Sequence, residues 1–286
     1  MSDSSINPLR QFYRQPQIYI KLPSNGRFYP TGSIEMPPNN ELAVFSMTAK
    51  DEILFKTPDA LMNGQGTVEV IQSCIPAIKN AWDMPMIDVD TVLISIRQAT
   101  YGNAMEYYSL CPHCKNKNEH SINLGAIIDR YNLCPDYDTT VKVDKLEFYL
   151  KPQNYKTYNK LSMQLYDQQR LLAVVGDESL SEEEKTNQFN ILFKKLLTLT
   201  VDNISKSVSA IKYVIDSAEQ VVTDENLIQE FFTNCEKSIW EVVKQRIEAI
   251  NQQLERHKKL QLSCQNEECE KQYETDLNFE TSHFFV

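Results

Sequence analysis

A chain of 286 residues with 42% apolar and 24% charged side chains is long enough, and ordinary enough in composition, to bury a substantial core. Its formal charge of −10 argues against a dedicated nucleic-acid binder, because affinity for phosphates comes mainly from basic side chains. With 7 glycines scattered along the chain, there is no material for a phosphate-cradling loop. No apolar run approaches the roughly 18 to 20 residues of a spanning helix, and Met1–Asn7 is polar. Neither a membrane span nor a secretory leader is expected, so the chain is read as staying where it is made. Seven cysteines, an odd number without a leader, favour metal binding by paired cysteines over a disulfide framework.

Residues 1–15 are polar and irregular. Gln17–Ile20, continued by Lys21 and Leu22, alternates as a strand before the turn cluster Pro23-Ser24-Asn25-Gly26. Arg27–Tyr29, Ser33–Met36 and Glu41–Phe45 read as further short strands, separated by Pro30-Thr31-Gly32 and Pro37–Asn40. At Thr48 the pattern turns helical, and Asp51 and Glu52 suit the first turn of a short helix ending at Lys56. Thr67–Ile78 and Asp88–Thr100 carry apolar side chains at helical spacing, and these stripes are expected to be core.

Ala104–Leu110 and His120–Leu124 are strand candidates on either side of Cys111-Pro112-His113-Cys114. Val141–Val143 and Leu146–Leu150 flank Asp144-Lys145 as a hairpin without the usual glycine. Helices are predicted over Asn154–Val175, Glu182–Leu199, Val208–Ser217 and Glu225–Leu254, the last with a break near Asn234. Ser181 with Glu184 forms a capping-box pattern, which makes the acidic run Asp177–Glu184 a helix start. Thr223 and Asp224 offer an N-cap, and Arg256–Lys259 supplies cations to a helix end. Strands then flank the second cysteine pair at Lys259–Ser263 and Glu270–Phe279.

The expected class is α+β: a β-rich N-terminal section, a helical body, and a four-cysteine zinc ribbon formed by two sequence-distant knuckles. The corresponding divisions are 1–103, β-rich then helical; 104–124 plus 258–286, the ribbon element; and 125–257, a mainly helical insertion with one β-hairpin.

The ribbon is expected because a structural zinc takes four soft ligands in a tetrahedron, and C-x2-C and C-x4-C turns each supply two thiolates. Cys111, Cys114, Cys264 and Cys269 fit that pattern. A redox dithiol opening a helix suits the first pair less well, since Lys115-Asn116-Lys117-Asn118 is a poor helix start. Roughly 150 residues separate the pairs, and closing so long a loop costs entropy that grows only logarithmically with length. A closed four-thiolate site holds Zn2+ structurally and leaves no position for water or substrate. His113 and His120 are substitute ligands only if a cysteine is missing. Cys74, Cys134 and Cys235 read as ordinary thiols in apolar settings. No zinc-protease, nucleophile-elbow, Walker or dinucleotide motif is present, so no catalytic residue is expected.

The stretch Ile20–Tyr29, then Ser46-Met47-Thr48 with Asp51-Glu52, Asn63-Gly64, Val70–Cys74, Asp88–Arg97 and Tyr101-Gly102 with the first cysteine pair resembles the baseplate hub and hub-assembly family of T4-like contractile-tailed bacteriophages. The resemblance covers roughly residues 16–125 and rejoins the chain at the returning cysteines. It carries over Leu22, Pro23, Gly26 and Tyr29 in the N-terminal turn, and Met47, Thr48 and Glu52 at the first helix. It implies a non-enzymatic tail protein whose partners are other hub or tail proteins, with self-association open. No nucleic-acid partner is implied. The implied location is the host cytoplasm during assembly, with residence in the virion tail baseplate as the alternative to departure. Tyr13, Tyr19, Phe28 and Tyr29 are candidates for a partner surface, weighed against core packing. A zinc-ribbon nucleic-acid adaptor and an unrecognised enzyme are the competing readings.

Overall fold

The computed structural model describes residues 7–57, 64–175, 182–215 and 218–277. A short 3-10 turn at Pro8–Phe12 leads into β1 (Pro16–Ile20), which pairs antiparallel with β2 (Leu42–Phe45) through Ile18↔Val44 and Ile20↔Leu42. The other two N-terminal strands expected from sequence do not form. Asn25, Gly26 and Phe28 adopt φ values of 51, 77 and 70°, which breaks the extended run, and Ser33–Met36 contributes only a single bridge, Ile34↔Ile78. Gly26 is needed there: a Cβ would lie 2.6 Å from Met36 Cγ.

Helix α1 (Ala49–Phe55) starts as predicted, with Thr48 and Asp51 forming a reciprocal capping box. Helix α2 (Gln65–Cys74) stops earlier than its apolar pattern suggests. Ile75 precedes Pro76, which disfavours helical backbone at that residue, and Ile75 takes φ −129° and ψ 80°. Helix α3 (Met86–Tyr101) buries ten side chains, among them Asp88, Val92, Ile94 and Ile96, and so runs through the interior. It ends at Gly102, and the chain enters the antiparallel pair β3 (Ala104–Leu110) and β4 (Lys117–Asn123). Asn123 then caps α4 (Leu124–Tyr131), an element that no part of the sequence reading anticipated.

β5 (Val141–Val143) and β6 (Leu146–Leu150) form the expected hairpin. Helices α5 (Tyr155–Val175) and α6 (Glu182–Lys206) follow and pack on each other. The Ser181 cap and most of the Asp177–Glu184 run lie outside the described residues. The largest correction comes next: Val208–Ser217, predicted helical, is strand β7 (Val208–Ile215), which pairs with β6 through Phe148↔Ile211 and with β8 (Ala218–Val222). The segment 125–257 therefore carries a four-stranded antiparallel sheet, β5-β6-β7-β8, rather than one hairpin. Ser217 itself lies outside the described residues. Val208, Ile211, Val214 and Ile215 are β-branched, and the exposed edge of β6 offers their backbone a ladder that a helix could not use.

The break near Asn234 is real: α7 (Glu225–Asn234), capped by Asp224, is followed by α8 (Lys237–Lys258), which passes directly into β9 (Lys259–Ser263). β9 pairs with β10 (Gln272–Asp276). Two cores result. The first joins Leu22, Leu42, Val44, Ile71, Val92 and Ile94 and extends to Met105, Ile122, Leu260 and Leu277 of the two cysteine-bearing hairpins. The second lies between the four-stranded sheet and α7 and α8, around Phe148, Ile211, Ile228, Phe232, Val243 and Ile250. The architecture is α+β, with a β-rich start and a helical body, as expected.

Candidate metal centre

The two cysteine pairs sit on the turns of the β3–β4 and β9–β10 units. In the first, Cys111 N–H donates to Asn116 O at 2.9 Å and Lys115 N–H to Cys111 O at 2.9 Å, while Lys115 takes φ 61°. In the second, Cys264 N–H donates to Lys271 O at 3.0 Å, Cys269 N–H to Asn266 O at 2.9 Å, and Glu270 takes φ 47°. In both turns the residue after the second cysteine is left-handed. This shared backbone solution explains how spacings of two and four intervening residues present the same pair of sulfurs.

The pairs meet although Cys114 and Cys264 lie 150 positions apart. All four Sγ atoms fall within 4.8 Å of one another, with Cys114 to Cys264 at 3.5 Å and Cys111 to Cys269 at 3.9 Å. Those separations are too long for disulfides, and all four are free thiols. A tetrahedral zinc with Zn–S bonds of about 2.3 Å places its sulfurs about 3.8 Å apart, so the cluster fits the ion without rearrangement. Cys111 and Cys264 are buried, Cys269 is partly covered and Cys114 faces solvent.

Electrostatics within the cluster are uneven. Burial opposes ionisation of Cys111, yet the backbone N–H groups of Cys114 and His113 and the neighbouring thiols bring it down to about 7. Burial pushes Cys264 up to about 11, with Cys114 and Cys111 adding to the effect. A cation bound among these sulfurs displaces the thiol protons, because the thiolate is the metal-binding form. The donor set is all sulfur, suiting a thiophilic ion such as zinc, and it is closed, suiting structure rather than chemistry. Of the two histidines weighed as substitutes, His113 is exposed, and His120 Nε2 lies 3.2 Å from the Tyr273 hydroxyl; the cluster contains neither.

What braces the knuckles was not visible in the sequence. The Tyr273 hydroxyl lies 2.6 Å from Ser109 Oγ and accepts from Asn118 Nδ2 at 3.1 Å. Buried Asn118 in turn accepts the Gln265 N–H at 2.9 Å, and Gln265 exchanges hydrogen bonds with the backbone of Glu119. At the far end Tyr107 donates to Asp276 O at 2.9 Å. Only the alternation around each pair hinted at these residues, since their partners lie on the other hairpin.

The residues carried over by resemblance form a second, structural constellation. Leu22 and Pro23 are buried, and Tyr29 donates to Asp88 at 3.0 Å. The buried Met47 donates its N–H to Thr100 Oγ1, and Thr48 caps α1 with Asp51 rather than Glu52. The N-terminal aromatics divide: Tyr13 and Tyr19 are exposed, whereas Phe28 packs edge-on against Tyr137 at 5.4 Å.

No curated protein and no solved structure matches the chain. The model of a family described as T4 bacteriophage base plate protein matches residues 15–286, from the strand before the Pro23–Gly26 turn to beyond the second knuckle, and the chain belongs to that family.

Proposed function

We propose that this protein is a structural or assembly, chaperone-like component of the tail baseplate hub, working through protein–protein contacts, with one structural Zn2+ held by Cys111, Cys114, Cys264 and Cys269. The observation that carries the reading is a closed four-thiol cluster in a chain of baseplate-protein family, tying together hairpins at the two ends of a long excursion. With all four positions taken by sulfur, the ion offers no vacant site for substrate. In this reading 1–103, 104–124 with 258–286, and 125–257 are the working units, and the ribbon sets how the third is presented to partners. Hub proteins are the partners, met in the host cytoplasm and, for a permanent subunit, kept in the virion baseplate. No catalytic role is proposed.

The test is co-expression of the full chain with candidate hub and wedge proteins, followed by affinity purification and metal analysis. One zinc per chain and recovery of a hub subcomplex are expected, and Cys111→Ser or Cys264→Ser should lose both. A folded wild type free of zinc, or a cysteine variant that still assembles, refutes the link. Salt-sensitive binding of random duplex DNA would point instead to a nucleic-acid adaptor.

A further inference from the structure

The four-stranded sheet ends differently on its two sides. β5 is three residues long and carries Lys142, two devices that keep an edge from pairing. β8, at the other end, has neither lysine nor proline in Ala218-Glu219-Gln220-Val221-Val222, and it pairs with β7 without a bulge. Ala218 to Val221 are exposed, and among the described residues no strand meets the outer edge of β8. Its outward backbone N–H and C=O groups are available to another strand.

The side chains define what kind of strand fits. On the face away from the core, one row crosses the sheet as Lys142, Glu147, Lys212 and Val221. Lys142 reaches Glu147 at 3.4 Å, and Lys212 reaches Glu219 of β8 at 2.9 Å. Charge thus alternates from strand to strand and stops at β8 on Glu219, whose side chain is 64% exposed. A cation on the next strand continues the alternation. On the core face, Ile211 pairs with Val222 at the buried end and Ile215 with Ala218 at the exposed one. Ile215 is 58% exposed, and the small Ala218 beside it leaves it open to an apolar side chain from the strand beyond. A second copy does not meet these demands, since its β8 brings another Glu219 and no cation, and each chain carries a formal charge of −10.

We propose that β8 is a docking edge for an extended segment of another protein, one that alternates basic side chains on the Glu219 face with apolar side chains on the Ile215 face. Main-chain hydrogen bonds hold the segment, and the alternation sets its register. The surface belongs to the sheet itself, so it depends neither on the hub reading nor on zinc.

The test is fluorescence anisotropy and hydrogen exchange on the full chain, with a short peptide of alternating lysine and valine as the probe. Binding is expected, with exchange of the outward amides of 218–222 slowed several-fold. A glutamate–valine peptide should bind several-fold more weakly. So should a lysine–valine peptide with a central proline, which keeps the charge and interrupts the ladder. Glu219→Lys should cost the lysine–valine peptide several-fold in affinity while circular dichroism stays unchanged. Should that variant fail to fold, Glu219→Gln replaces it, with a smaller loss. Outward amides already slow to exchange without peptide would mean a covered edge, and slowing that grows with protein concentration alone would mean a second copy. Either result, protection elsewhere, or indifference to the proline or to the change at Glu219 would overturn the proposal.

Discussion

Asp88 shows how much a single side chain can hold. It sits on α3, fully buried, and accepts the Ser24 N–H at 2.8 Å, the Ser24 hydroxyl at 2.6 Å and the Tyr29 hydroxyl at 3.0 Å. It thus fastens the N-terminal turn to the interior helix. Burial raises its carboxyl from 3.8 to about 6, the three donors opposing but not cancelling that rise. A folded value above the unfolded one means the fold holds the proton more tightly. The contribution of this group to stability is therefore full below the unfolded value and is lost as pH rises through about 6. Asp88→Asn cannot titrate, so the stability of wild type relative to this variant should fall by on the order of 3 kcal/mol between about pH 4 and pH 7. Chemical denaturation at several pH values measures it, and a flat difference would mean the carboxyl is not raised. The sequence marks Asp88 only as an acidic residue near a helix start; its partners lie 64 and 59 positions away.

Among the elements, the two knuckles make the clearest case of local rules bent for a purpose. Lys115 and Glu270 hold left-handed backbone that costs a side chain about 1–2 kcal/mol. Lys115→Gly should relieve part of this and stabilise the protein by about 0.5–1 kcal/mol after the added unfolded-state entropy of glycine. A shift of the denaturation midpoint to higher denaturant checks it, and an unchanged or lower midpoint would show the strain to be illusory. The knuckle strands were legible because alternation and cysteine spacing are local. Strand β7 was misread because Val208 and Ile211 share a helical interval as well as an edge with β6, and only the presence of β6 decides between them. Helix α4 was missed because its apolar stripe is eight residues long and starts immediately at the end of a strand.

At the scale of the molecule, the first core has its own buried set in β1, β2, α2 and α3, while β9 and the residue after β10 reach it through Leu260, Leu262 and Leu277. If zinc clasps that hairpin to β3–β4, stripping the metal with a chelator should accelerate amide exchange across 259–276 well before it touches β1, β2 or α2. Hydrogen exchange followed by mass spectrometry resolves the two regions, and uniform loss of protection would count against a local clasp. The exposed Cys114 gives the chelator a route to the site.

The sequence by itself determined the class of the fold, most helix positions, the capping at Thr48 and Asp224, the family, and the four cysteines as a set, because caps, periodicity and ligand spacing are written over a few neighbouring residues. Tertiary structure alone decided that the two pairs meet at 3.5 and 3.9 Å, that Asn118, Gln265 and Tyr273 brace them, that Val208–Ile215 is a strand, and that a cavity opens between α3, α8 and the segment after α4. Each of these depends on partners far along the chain, brought together by burial that no local pattern encodes.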